Sequence, residues 1–112
     1  MVWQDLKEEA QLTTIQEASF VKPQLIFKHS TRCPISTTAK SRFERTYQAE
    51  YGEKIDFHLL DLITFRALSR EIAEKWQVTH ESPQVLFIQE GKVSYHESHY
   101  GIAWEGILSA VS

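Results

Sequence analysis

The sequence predicts an α/β domain built on a four-stranded mixed sheet flanked by helices. Three observations point there. Short apolar runs of strand length alternate with longer stretches whose apolar residues recur every three or four positions. Strands separated by helices imply parallel crossovers. The last two strand-like runs are split only by Glu90-Gly91, a tight-turn signal that makes them an antiparallel hairpin. The predicted order is α-β-α-β-α-β-β-α.

Taken in order, the first helix is expected over Lys7 to Ser19. Leu12, Ile15 and Ala18 recur at three-residue steps, and Glu8 and Glu9 suit a first turn. Thr13 and Thr14 are mediocre helix formers, so a start at Thr13, with the Thr13…Gln16 capping-box spacing, is the alternative. Pro23 breaks the chain before Gln24 to Lys28. The continuous apolar centre of that run, Leu25-Ile26-Phe27, fits a strand buried on both faces. Pro34 to Glu50 reads as the second helix, with Ile35, Ala39, Phe43 and Tyr47 on one face and Gly52 closing it. Ile55 to Leu62 is the second strand, with Ile55, Phe57 and Leu59 on one side. Thr64 is placed as the N-cap of a third helix that buries Phe65, Leu68, Ile72 and Trp76. Pro83 introduces the strand Gln84 to Ile88, and Lys92 to His96 is its hairpin partner. The tail, Ile102 to Val111, reads as a closing helix that buries Trp104, Ile107, Leu108 and Val111.

A chain of 112 residues without linker, repeat or low-complexity segment is expected to form a single domain, 1–112. Its 42% apolar and 24% charged content is that of an ordinary globular protein. A net charge of −3 gives no reason to expect nucleic acid or an anionic membrane as partner. No apolar stretch approaches the ~20 residues of a membrane span. The start, Met1 to Glu9, lacks the cationic and apolar blocks of a signal peptide. One cysteine cannot close an internal disulfide, so a reducing cytoplasm is the expected compartment.

That cysteine, Cys33, carries the chemistry. It lies between a strand and a helix, within Thr31-Arg32-Cys33-Pro34-Ile35-Ser36. Unpaired N–H groups and the macrodipole at a helix N-terminus favour negative charge, and the thiolate is the nucleophile. Cys33 is expected at the N-cap, with Pro34 at the first helical position, where its missing N–H costs nothing. Ser36 stands three residues on, the spacing at which a side chain reaches back to the N-cap, so its hydroxyl can donate to the sulfur. Arg32 adds positive charge, and Lys28 and His29 end the preceding strand. A buried, inert cysteine is the alternative; flanking by Arg32 and Pro34 in a polar loop argues against it. Cys-x-x-Ser is a Cys-x-x-Cys redox motif with a hydroxyl in place of the second thiol. The first sulfur can attack a disulfide, and no second sulfur in the chain can resolve the product.

Pro83 follows the polar stretch Thr79-His80-Glu81-Ser82. By itself it reads as a trans proline starting an edge strand; a cis Ser82–Pro83 bond beside the cysteine is the sharper alternative. The five histidines, His29, His58, His80, His96 and His99, show no metal-ligand spacing, and no metal is expected. His29 is singled out among them because it can tune Cys33. Asp61, near the end of the second strand, is read as a satisfied cap, with a buried acid as the alternative. Lys40, Arg42 and Arg45 are read as a solvated helix face, with a second use as attractors for an anionic ligand.

The block Phe27-Lys28-His29-Ser30-Thr31-Arg32-Cys33-Pro34-Ile35-Ser36 and the later Ser82-Pro83-Gln84-Val85-Leu86-Phe87 resemble the thioredoxin superfamily. More narrowly, they resemble the monothiol bacilliredoxins of the YtxJ type. The Gly91-Lys92 turn also fits, and the resemblance covers nearly the whole chain. It implies a thioredoxin-like fold with a cis proline at Pro83 near the cysteine. It also implies an enzyme: a thiol-disulfide oxidoreductase acting on S-bacillithiolated proteins, whose clients carry a mixed disulfide with the cysteinyl-glucosaminyl-malate thiol bacillithiol. Cys33 would take the bacillithiol cap and be regenerated by a second bacillithiol, a reducing co-substrate, with no bound cofactor. On this view Cys33 and Ser36 are the catalytic residues. Lys28, Arg32, Pro34, Ile35, Ser82 and Pro83 are the substrate-binding ones, and cationic groups near the sulfur suit the anionic malate. Two other functions use the same residues: a redox sensor that stays capped at Cys33, and a non-catalytic binding module offering the Ser82-Pro83 edge.

Overall fold

The computed structural model describes residues 1–112. Five strands form one sheet: β1 (Gln4–Asp5), β2 (Gln24–His29), β3 (Asp56–Asp61), β4 (Gln84–Gln89) and β5 (Lys92–Ser98), in the order β1-β3-β2-β4-β5. β3 runs parallel to both β1 and β2, whereas β4 is antiparallel to β2 and β5. The sheet is mixed, as expected, with one strand more than the four predicted. The extra strand is two exposed polar residues paired with His58 and Leu59, so no apolar pattern announces it.

Five α-helices flank the sheet: α1 (Ala10–Ala18), α2 (Pro34–Arg45), α3 (Ala49–Lys54), α4 (Arg66–Trp76) and α5 (Trp104–Ser109). Successive residues of β2 feed opposite faces, as the strand period of two requires. Ile26 joins Leu12, Ile15, Ile72 and Leu86 under α1 and α4. Leu25 and Phe27 join Phe43, Phe57, Phe87 and Trp104 under α2 and α5. The second face is aromatic at its centre, where Phe43 stacks on Trp104 with ring centroids 3.8 Å apart. No helix is long and apolar enough to cross a membrane.

Several boundaries differ from expectation for local reasons. α1 starts at Ala10, not Lys7, because the Gln11 side chain ties the preceding chain into a knot. Its Oε1 accepts from Lys7 N and Glu8 N (2.7 and 2.9 Å), and its Nε2 donates to Asp5 O. The helix predicted over Pro34 to Glu50 is two helices. Thr46 ends α2 by donating its hydroxyl to Arg42 O at 2.8 Å, and Gly52 lies inside α3 rather than closing α2. Thr64 is not the N-cap of α4; Phe65 is. Asp61 caps the turn before it, accepting from Ile63 N, Thr64 N and the Thr64 hydroxyl. β5 runs on to Ser98, and a 3₁₀ turn (His99–Gly101) precedes α5, which begins at Trp104 rather than Ile102. The Glu90-Gly91 turn is present as predicted. Both residues have positive φ (52° and 79°), the geometry of a two-residue I′ hairpin turn.

Candidate active site

β2 and β4 are antiparallel neighbours, and Lys28↔Gln84 is the last pair of their ladder. The chain leaving β2 toward Cys33 and the chain entering β4 through Ser82-Pro83 therefore meet at one end of the sheet. Cys33 is the N-cap of α2, with extended backbone (φ −110°, ψ 114°), and Pro34 opens the helix. Its carbonyl accepts from Thr37 N (3.0 Å) and from the Thr37 hydroxyl (3.3 Å), so the first helical turn is closed on the cysteine itself. The first turn of α2 has no acidic residue to neutralise the positive end of the helix. Cys33 is a free thiol, partly exposed. Arg32, Pro34 and Ile35 around it are exposed, Ile35 at 39% of its surface.

Ser36 is fully buried and its hydroxyl is engaged away from the sulfur. It accepts from Ser30 N–H at 3.0 Å and lies 2.7 Å from His29 Nδ1. Both hydrogen-bond contacts of the Ser36 hydroxyl are to Ser30 and His29 and neither is to Cys33, so the expected Ser36-to-Cys33 donation is not made. Burial and the Lys40 ammonium lower the pKa of His29, against the raising effects of Asp61 and Glu44, so the ring is neutral at pH 7.

Lys28 corrects a second expectation. Being one residue from His29 in β2, it points to the other face of the sheet and is 0% exposed. Its Nζ donates to Ser69 O (3.2 Å) and meets His80 Nδ1 (3.3 Å). Burial lowers its pKa to about 8. It cannot reach a ligand at the surface. Of the cations read as a solvated face of α2, Arg45 is exposed and Lys40 pairs with Glu44 at the surface (3.1 Å), whereas Arg42 donates to Ile102 O at 2.9 Å and clamps the 3₁₀ segment to α2. Arg32 is the exposed cation beside the thiol.

The Ser82–Pro83 bond is cis. Pro83 is buried and its carbonyl accepts from His99 N at 2.9 Å. Ser82 makes no backbone–backbone hydrogen bond. The His99 contact and the Arg42 clamp bring Tyr100, 75% exposed, toward this end of the molecule. Sequence reading did not anticipate that ring, because an irregular turn carries no periodic signal. The five histidines do not gather with acids or the thiol into any group able to hold a metal.

A single thiol capping a helix, set beside a buried proline that opens the neighbouring antiparallel strand, defines a thiol-redox protein of thioredoxin fold. Solved structures agree on the fold. One described as having a thioredoxin fold matches with TM-score 0.82 and 30% identity, over 97% of this chain and 93% of its own. Fasciola hepatica thioredoxin matches with TM-score 0.72 and 19% identity, over 96% and 99%. The short form of spinach chloroplast thioredoxin f gives 0.69 and 15%, over 96% and 91%. The family is narrower than the fold: residues 4–107 match the model of the monothiol bacilliredoxin BrxC, and the chain belongs to that family.

Proposed function

We propose that this protein is a cytoplasmic monothiol oxidoreductase that removes bacillithiol from S-bacillithiolated client proteins. The observation that carries this reading is the solitary thiol at the N-cap of α2, with a buried hydroxyl where a resolving thiol would stand. The Cys33 thiolate attacks the bacillithiol sulfur of the mixed disulfide, and the client thiolate leaves. Cys33 then holds bacillithiol in a disulfide. A second bacillithiol thiolate attacks the bacillithiol sulfur, releasing Cys33 and bacillithiol disulfide. One sulfur suffices for such a relay, since each step is a single thiol–disulfide exchange. The positive end of α2 and exposed Arg32 favour both the thiolate and an anionic malate. The unpaired backbone of Ser82 and exposed Ile35 supply a polar edge and an apolar contact for the client.

A multiple-turnover assay tests this, with capped client in tenfold excess and bacillithiol as reductant. Many equivalents of reduced client per protein support the enzyme. A reaction that stalls at one equivalent makes the protein a thiol-holding sensor, and no release at all makes it a binding module.

A further inference from the structure

Resting on that reading of Cys33, we propose that His29 is a positioning residue: it decides where the Ser36 hydroxyl proton points, and so whether that hydroxyl supports the Cys33 thiolate. A serine hydroxyl has one proton to donate and two lone pairs to accept with. One lone pair of Ser36 is taken by Ser30 N–H at 3.0 Å. The His29 contact, at 2.7 Å, is short for N–H···O and ordinary when a hydroxyl is the donor. Ser36 is 0% exposed, so no bulk water can take its proton. With the ring neutral and its proton on Nε2, the Ser36 proton goes to His29 Nδ1, and the Ser30 N–H, the Ser36 hydroxyl and His29 Nδ1 are all paired. Cys33 then receives nothing from Ser36, whose hydroxyl contacts are Ser30 N and His29 Nδ1 alone.

The opposite arrangement follows when Nδ1 carries a proton, as it must in the imidazolium. Nδ1–H then donates to Ser36 and fills its second lone pair. The serine proton has to turn elsewhere, and the sulfur at the N-cap, three residues back, is the group that position reaches. His29 is placed to act this way by the end of β2, with the Phe27 ring against it at 6.4 Å. The charged groups that face it are Lys40 and Glu44 from α2 and Asp61 from β3. Holding the hydroxyl off the sulfur leaves a less stabilised, more nucleophilic thiolate in the resting protein.

The test needs no bacillithiol, so it succeeds or fails independently of the substrate. The rate of Cys33 alkylation by iodoacetamide is followed against pH in the wild type, H29F, S36A and the H29F/S36A double variant. Phenylalanine removes the acceptor and frees the Ser36 proton. The midpoint of the profile should therefore fall by roughly one pH unit in H29F, the worth of one hydrogen bond to a charged group. The same change should do nothing in the S36A background. An unchanged midpoint in H29F, or an equal fall with and without Ser36, overturns the proposal. A second measurement uses the unaltered protein: 15N shifts of the His29 ring at about pH 8. A proton on Nε2 with a bare Nδ1 is expected; a neutral ring protonated on Nδ1 overturns the assignment.

Discussion

Lys28 offers the sharpest quantitative prediction. Its ammonium is fully buried with only a carbonyl and a neutral imidazole as partners, and no carboxylate balances it. Burial lowers its pKa from 10.5 to about 8. At ~1.36 kcal/mol per pH unit, holding the charge in the folded state costs about 3 kcal/mol relative to the unfolded chain. The sign follows from proton counting. Between about pH 8 and 10.5 the unfolded state binds more protons than the native state, so stability rises with pH through that window. Lys28→Met keeps the length of the side chain and removes the titration. Ser69 Oγ still contacts His80 Nδ1, so the imidazole keeps a partner. K28M should therefore be the more stable protein at pH 7, by about 1–3 kcal/mol. Its advantage should shrink by about 2 kcal/mol as pH rises to about 9.5, where the wild type no longer holds the charge. Urea unfolding of both proteins under reducing conditions, at pH 7, 8.5 and 9.5, measures the gap directly. A gap constant within about 0.5 kcal/mol, or a wild type more stable at pH 7, would refute the reasoning.

Three further outcomes follow from the same geometry. Phe43→Ala removes a 2%-exposed ring stacked on Trp104, and should lower stability by about 3–5 kcal/mol in urea unfolding. Asp61→Ala strips the cap from Ile63 N, Thr64 N and the Thr64 hydroxyl. It should cost ~1 kcal/mol at pH 7. The same bonds hold the Asp61 carboxyl below its ordinary pKa of 3.8, so the gap should persist through pH 4 and shrink only in stronger acid, which thermal melts stepped from pH 7 down to pH 2 would follow. Arg32→Gln removes the exposed cation beside the thiol and should raise the bacillithiol concentration needed for half-maximal turnover several-fold, by about 1 kcal/mol of lost charge attraction. The same change at Lys40, already paired with Glu44, should do less.

Much of this fold is legible because its strands are continuous apolar runs and its helices carry clear stripes. Leu25-Ile26-Phe27 marks a doubly buried strand, and Leu68, Ile72 and Trp76 are buried on α4 as spaced. Glu90-Gly91 specifies its turn because both positions need positive φ, which glycine meets freely and a hairpin rewards. What escaped was set by side chain–backbone bonds that no periodicity encodes. Gln11 delays α1, Thr46 cuts α2 short, and Asp61 rather than Thr64 organises the turn into α4. At the site, the position of Cys33 at the N-cap was readable from Pro34 and the strand before it. The side chains around it were not. Strand alternation sends Lys28 and His29 to opposite faces, and from sequence alone both look like neighbours of the thiol. Ser36 reads as the partner of Cys33 by spacing, yet His29, seven residues earlier, is where its hydroxyl contact lies.

The central claim is that Cys33 takes a bacillithiol cap and gives it up again. Intact-mass spectrometry after mixing the reduced protein with a bacillithiol-capped client tests it most directly. The account predicts that the cap mass moves from the client to Cys33, that the client appears reduced, and that added bacillithiol returns Cys33 to the free thiol. A cap that stays on the client, or a capped Cys33 that bacillithiol does not release, would contradict it.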